Sequence, residues 1–357
     1  MDFGLSDEQK LLEQSLRRHL AESVPTTRVR AIMDTEVAHD AKLWAALAEL
    51  GALGVLVPEA HGGSGLALFD AALIAQSLGY AATPAPFLAT GVLAPVALAA
   101  GTAAQQAEWL PRIATGEVVL GAALSEAVAK RGDAGLRADG DRINGSALFA
   151  IDAGAASLFL VALGRDRIAL VPRGAAGLSV TLLATIDRTR RVAELGFENV
   201  TAGESITAPG LVDRVLAAGR IAIAADTLGA CERAIEMAVA YAKQRVQFGR
   251  AIATFQAVKH LCAEMVAELE PARSLVWYAA HAFDERPDEA ARLAAHAKAH
   301  LAEIGTAIVR TATEVHGGIG FTSEHDLHLW FKRVGLDRQL LGGPELVRAE
   351  AAALHGG

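Results

Sequence analysis

Cysteine is nearly missing from this sequence: Cys231 and Cys262 are the only two in 357 residues. They form no CxxC pair, so neither a disulfide framework nor a zinc site is indicated. In a chain long enough for a large core they read as reduced, buried thiols. Aromatic residues are scarce as well, at 5%, although hydrophobic residues reach 52%. The apolar content is therefore mostly Ala, Leu and Val, a mixture that favours long, closely packed helices. Bases are outnumbered, 33 against 41 acids, for a formal net charge of −8. No basic surface for nucleic acid is expected. Apolar runs such as Thr90 to Ala100 are too short or too Ala-rich to span a bilayer, and the first residues lack a basic-then-apolar signal layout. The expectation is a soluble, cytoplasmic protein without nucleic-acid or membrane partners.

What is present divides the chain into three. Residues 1–117 read as a helical domain. Ser6 and Gln9 fit a capping box, and Leu11, Leu12, Leu16 and Leu20 follow at helical spacing. Helices are expected over Ala41 to Leu50, stopped by Gly51, and over Asp70 to Gly79 and Gln105 to Ala114. The Pro and glycines between Pro58 and Gly65 break any regular element. Residues 118–208 change period. Short β-capable runs at 158–161 and 168–172, with turn chemistry at Asp139-Gly140-Asp141 and Asn144-Gly145, point to a central antiparallel β-domain. Residues 209–357 return to helix: Ile221, Ala225, Leu228, Ile235, Val239 and Ala242 trace one apolar stripe, and Leu293, Ala297, Leu301, Ile304 and Ile308 another. The order helix, strand, helix makes an α+β chain. No repeat of 20 to 50 residues is visible, which argues against a solenoid.

Two segments carry residue types suited to binding phosphate. Tyr241-Ala-Lys-Gln-Arg245-Val-Gln-Phe248-Gly249-Arg250 sets an Arg at a helix end beside a glycine turn, and Gln256 follows. A guanidinium there offers a planar fork to phosphate, although a solvated basic turn has the same pattern. His316-Gly317-Gly318-Ile-Gly320-Phe321-Thr322 has glycines that let a backbone approach a pyrophosphate, as an ordinary turn also would. No metal is indicated. His296 and His300 share a helix face without a third ligand, and the acids of Glu324-His325-Asp326-Leu327-His328 fit the first turn of a helix.

Together, Pro58-Glu-x-His61-Gly62-Gly63-x-Gly65, Arg245-Val-Gln-Phe248-Gly249-Arg250, Phe255-Gln256-Ala-Val-Lys259-His260 and His316-Gly317-Gly318 closely resemble the acyl-CoA dehydrogenase family along essentially the whole chain. The resemblance starts at Met1-Asp-Phe-Gly-Leu-Ser. It implies an N-terminal helical domain, a central β-domain and a C-terminal four-helix bundle, assembled as a homo- or hetero-tetramer with FAD at a subunit interface. It implies an acyl-CoA substrate whose α-proton is taken by a carboxylate while the β-hydrogen leaves as hydride to the flavin. Electrons would pass to an electron-transferring flavoprotein. Arg245, Phe248 and Gln256 match positions that reach the ADP portion of FAD, and Gly317 and Gly318 match the pyrophosphate loop.

The flavin-ring side departs from the family pattern. The family's Thr-Glu-Pro is Ser125-Glu126-Ala127, whose hydroxyl remains, and the Gly-Ser-Asp after it is replaced by Lys130-Arg131-Gly132-Asp133. Trp-Ile-Thr corresponds to Phe149-Ala150-Ile151. On the phosphate side, Glu314 replaces the glutamine of the family's Gln-x-His-Gly-Gly and sets a negative charge near phosphate. The base departs furthest. One branch carries its glutamate in Tyr-Glu-Gly-Thr, here Leu340-Leu341-Gly342-Gly343. A second carries it just before an Arg on the first bundle helix, here Gly219-Arg220. Asp226 lies two helical turns beyond Gly219, about 10 Å away. It and Glu345 are the substitutes considered, and the alternative for Asp226 is a polar helix residue bonded within the bundle. These losses raise a second reading, a half-site subunit of a heteromeric enzyme, resembling bacterial members that degrade steroid side chains.

Overall fold

Ser6 opens the first helix with the capping box its sequence anticipates. Its hydroxyl accepts from the Gln9 amide at 3.2 Å, and the Gln9 side chain accepts from the Ser6 N–H at 3.0 Å. The computed structural model describes residues 4–129 and 135–355. Met1 to Phe3 and the Lys130-Arg131-Gly132-Asp133 stretch lie outside them. Six helices come first: α1 (Asp7–Ser23), α2 (Thr26–Met33), α3 (Ala41–Glu49), α4 (Leu68–Tyr80), α5 (Ala94–Leu98) and α6 (Ala103–Ala114). Pro58 to Gly65 hold a single 3-10 turn, Glu59–His61. A π-helical run, Leu88–Leu93, leads into α5.

Eight strands follow, with a one-turn helix, α7 (Ser125–Val128), after the first: β1 (Leu120–Ala123), β2 (Leu136–Asp139), β3 (Arg142–Ala150), β4 (Leu158–Ala162), β5 (Arg167–Pro172), β6 (Leu178–Leu182), β7 (Ala193–Thr201) and β8 (Glu204–Thr207). They form two four-stranded sheets, ordered β1-β4-β5-β8 and β2-β3-β7-β6, antiparallel throughout except for β1 beside β4. Phe159, Val161, Ala169 and Val171 from one sheet and Ile143, Ala147, Leu195 and Phe197 from the other form one apolar layer. Asp139-Gly140-Asp141 is the turn expected between β2 and β3. Asn144-Gly145 is not a turn. Both residues lie inside β3, where Gly145, at φ +114°, marks a shift of register against β7, and the Asn144 side chain accepts from the Asn199 amide. An Asn-Gly pair serves a bulge as readily as a hairpin because both require a relaxed backbone.

Long helices complete the chain: α8 (Leu211–Gln244), α9 (Gln256–Glu285), α10 (Pro287–His316), α11 (Leu327–Asp337) and α12 (Pro344–Ala353), with a small hairpin, β9 (Val246–Gln247) and β10 (Arg250–Ala251), between α8 and α9. Glu324 precedes α11 instead of lying in its first turn, and Asp326 at the helix entrance accepts from Arg30 of α2 at 2.7 and 2.9 Å. That ion pair, between residues 296 apart in the sequence, takes the carboxylate that a helix start would otherwise use. Cys231 is buried and both cysteines are free.

The helices of the first and last segments touch backbone to backbone. A Cβ at Gly229 of α8 would overlap the Gln76 carbonyl of α4, and one at Gly79 of α4 would overlap the Asp226 carbonyl of α8. Only hydrogen at these positions allows so close a crossing. A Gly→Ala change in a helix ordinarily gains about 1 kcal/mol, and the crossing reverses the sign. Gly229→Ala should lower unfolding free energy by about 1–3 kcal/mol. At Gly335 of α11 the nearest obstacle is the far end of Ile186 at 3.2 Å, so Gly335→Ala should be neutral or stabilising. Urea denaturation of the two variants checks the contrast, and equal effects would remove the crossing as its cause.

Candidate functional site

Two groups of residues stand at opposite ends of α8. At its C-terminal end the chain leaves the helix at Arg245, whose side chain is exposed, and turns through Phe248 and Gly249, both at positive φ, 52° and 77°. That pair of left-handed residues is what a tight two-residue hairpin demands. It leaves the Phe248 ring 92% exposed, in edge contact with Phe255. Arg250 lies over the other ring of that pair, 4.2 Å from the Phe255 centroid. Gln256 opens α9 beside the hairpin, its amide 3.0 Å from His260.

The glycine loop joins this end through an aromatic stack. His316 ends α10 and stacks on Tyr241, one turn before Arg245, with centroids 4.6 Å apart. Its Nδ1–H donates to the Ala312 carbonyl at 2.7 Å, and burial pushes its pKa down, so the ring is neutral. Gly317 follows at φ +66°, with open space where a side chain would stand at both Gly317 and Gly318. That stack joins Gly317 and Gly318 to the end of α8 that leads into Arg245 and Phe248, and Gln256 opens α9 after the same hairpin. Exposed guanidinium, amide and bare backbone suit a pyrophosphate and adenosine. Glu314 is exposed on α10.

The other group lies near Gly219. Leu341 and Gly219 are far apart in sequence, yet a Cβ at Gly219 would stand 2.5 Å from Leu341 Cδ1 and 2.8 Å from Leu93 Cδ2. The two positions where an acid was sought are one place in space, and it is filled by leucine. Leu93 reaches it from the end of the π-helical run, and Leu341 sits at φ +56°, a strained backbone for a branched side chain. Gly342, at φ +110°, packs between Val128 of α7 and Val347 of α12. Ser125 starts α7, half-buried, on the same side. Phe149 is half-exposed at a bulge of β3 with φ +52°, so a planar ring is presented where the strand turns out.

Asp226 takes no place in that slot. Arg333 grips it with two bonds, 2.8 and 2.7 Å, and Arg190 adds a third contact at 2.6 Å. Burial would raise its pKa, but Arg190 and Arg333 outweigh it and hold the carboxylate below the ordinary range. A carboxylate so held is a weak proton acceptor. Glu345 is exposed in the first turn of α12 and pairs with Arg338.

Arg190 also pairs with Asp337, whose pKa burial lifts well above the ordinary range, with Asp226 adding to the rise. Asp152, buried beside this cluster, accepts from the Ala89 amide at 2.9 Å and so anchors the π-helical run that carries Leu93. Sequence reading missed Arg190, Arg333, Asp337, Asp152, Leu93 and Lys298. For Lys298 on α10 and for Arg333 and Asp337 on α11 the available signal was a charge inside an apolar helix, which is rarely left unpaired, whereas Arg190 and Asp152 lie outside helices and Leu93 is apolar.

These arrangements match known proteins. Residues 6–117 match the acyl-CoA dehydrogenase N-terminal domain and residues 210–353 the acyl-CoA dehydrogenase C-terminal domain. The chain belongs to the acyl-CoA dehydrogenase family. Among curated acyl-CoA dehydrogenases, IpdE2 of Mycobacterium tuberculosis is 34% identical over 96% of this chain and 95% of its own, and IpdE2 of Mycolicibacterium smegmatis is 32% identical over 97% and 99%. Among solved structures, the Tcur3481-Tcur3483 steroid enzyme variant superposes with a TM-score of 0.90 at 31% identity, covering 98% of each chain. The ChsE4-ChsE5 complex of Mycobacterium tuberculosis superposes with a TM-score of 0.92 at 26% identity, covering 100% of each. Acyl-CoA dehydrogenases are FAD-dependent, and the open glycine loop with Arg245 and Gln256 beside it fits the ADP half of that cofactor.

Burial lifts Asp152 from 3.8 to about 6, against the Ala89 amide and Arg190. A carboxyl with a raised folded pKa stabilises most below its unfolded pKa, and that contribution is lost as pH climbs through 6. Asp152→Asn cannot ionise and keeps an acceptor for Ala89. The variant should therefore gain on the parent by up to about 3 kcal/mol between pH 4 and pH 7. Denaturant titrations across that range check it, and parallel stability profiles would show that Asp152 is ionised in both states.

Proposed function

We propose that this chain is a subunit of a heteromeric, FAD-dependent acyl-CoA dehydrogenase acting on a CoA thioester of the steroid-degradation type, with a partner chain supplying the base. One observation carries the reading. The place where Gly219 and Leu341 meet holds no carboxylate among the described residues, while Arg245, Phe248, Gln256, Gly317 and Gly318 are kept and exposed beyond the far end of α8, Glu314 being the departure on that side. The likeness to IpdE2, to a steroid enzyme and to a complex of two named chains supports both the substrate class and the mixed assembly. A cytoplasmic tetramer passing electrons to an electron-transferring flavoprotein completes the proposal.

Bound FAD supplies the hydride acceptor. This chain's residues bind and orient it. Arg245 offers its guanidinium to phosphate, Gln256 its amide, and Gly317 and Gly318 their bare backbone. The Phe248 ring, held out at the hairpin turn, offers an apolar face beside them. Ser125 and Phe149 lie towards the other end of α8 and face a different cofactor position. Removal of the α-proton needs a base with its pKa lifted by desolvation. Here both family positions offer only an alkyl group or a hydrogen.

The test is expression alone and with the chain encoded beside it, followed by flavin absorbance per protomer and its bleaching on adding acyl-CoA. The expected result is little flavin and no bleaching alone, and bleaching with the partner. Stoichiometric FAD and full bleaching in the lone chain would overturn the proposal and return the chain to independent catalysis with an unassigned base. In the complex, Arg245→Ala should weaken FAD retention by about 1.5–3 kcal/mol, the usual worth of a charge-assisted hydrogen bond. Unchanged retention would remove Arg245 from the cofactor site.

A further inference from the structure

Leu341 is buried, yet its backbone is in the left-handed region that a branched residue avoids at a cost of about 1–2 kcal/mol. Something must hold it there. Two buried basic side chains reach its segment from different helices. The Arg220 Nε–H donates to the Leu341 carbonyl at 3.0 Å, and the Lys298 ammonium donates to the carbonyls of Arg338 and Gly342, each at 3.1 Å. Arg220 is fixed in turn by Glu350 of α12 at 2.6 Å. Lys298 has no such carboxylate in contact among the described residues. It is 1% exposed, and its ammonium is spent on two backbone oxygens that bracket the strained residue. Burying a lysine to satisfy carbonyls alone is costly unless the segment it holds must stay in place.

We infer that Leu341 is a plug that closes this chain's own acyl slot, and that Lys298, with Arg220, is the residue that positions it against Gly219 and Leu93. The inference rests on the reading that the partner supplies the base, and explains what replaces the acid here. Leu93 from the π-helical run and Gly219 from α8 face Leu341 itself, while Val128 of α7, Val347 of α12 and the Arg220 guanidinium face the next residue, Gly342. Holding the carbonyls of 338 and 342 fixes the ends of the turn between them, so the Leu341 side chain has one direction left. Selection against acyl chains then follows from occupied volume, the simplest means of exclusion.

The tests read the plug without turnover, so that their failure leaves the partner-base proposal standing. Lys298→Met in the 357-residue chain removes the donors and keeps the apolar stem. Amide exchange should rise about ten-fold or more at Leu340 and Gly342, which bond to Leu336 and Gln339, while the α8 and α10 core amides keep their protection. No change at Leu340 and Gly342, or an equal rise throughout the bundle, would overturn the positioning role. Leu341→Gly relieves the left-handed strain, empties the slot and leaves Lys298 and Arg220 in place, so it tests the plug separately from the lysine variant. It should bind xenon beside Gly219, where the parent binds none. A parent that takes up xenon there, or a variant that does not, would overturn the plug.

Discussion

The buried ion cluster of Arg190, Arg333, Asp226 and Asp337 is the constraint on which the remaining structure depends. Arg190 comes from the loop before β7, Asp226 from the middle of α8, and Arg333 and Asp337 from α11. Arg333 also donates to the Thr83 carbonyl at 3.1 Å, which draws in the segment after α4. Charges removed from water are stable only when every donor and acceptor is matched, and loss of one partner leaves the others uncompensated. The cluster therefore demands one arrangement of the helical and strand segments, whatever the apolar contacts would tolerate. Two guanidiniums face Asp152, Asp226 and Asp337, and the surplus is absorbed by burial: Asp226 is the ionised partner, while Asp152 and Asp337 are lifted towards the neutral form.

From that cluster the order passes to the slot. Asp152 holds the Ala89 amide in the π-helical run, the run aims Leu93 at Gly219, and Leu341 closes on both. The close crossing of α4 and α8 at Gly79 and Gly229 keeps the backbone of Asp226 against α4, so the ionic and steric constraints act at the same turn. The small residues that composition showed as an excess of Ala and Gly are thus placed where backbones must meet.

Much of this was legible because it is local. The Ser6 capping box, the stop after Leu50, the β2–β3 turn and the two helical stripes depend on neighbours within a few residues, and each is found. Asn144-Gly145 misleads because its role is set by β7, 55 residues away. The partnership of Arg190 with Asp337 spans 147 residues, and no spacing rule reaches that far. Asp226 was legible in its bonded, structural reading, since a charge in an apolar stripe needs a partner, but the identity of that partner was not. At the slot, sequence showed that both acid positions had changed. Only the fold shows that they are one position, because Gly219 and Leu341 meet through tertiary packing.

The length of α8 gives the strongest argument for shared sites. From Gly219 to Arg245 the helix runs for about 39 Å at about 1.5 Å per residue. A single dinucleotide cannot lie along that distance with its pyrophosphate at one end and its ring at the other. On the proposed reading, the ADP-side residues at Arg245, Gln256 and Gly317 serve a different cofactor from any that lies beside Phe149, Ser125 and the closed slot. Such a division lets one chain keep one half of a site and lose the other. On the proposed reading, Arg245 and Gln256 serve the cofactor of a neighbour, while Gly219 and Leu341 serve packing. The strained turn at Leu341, held by Lys298 and Arg220, fills the core where Gly219 and Leu93 would otherwise leave a void.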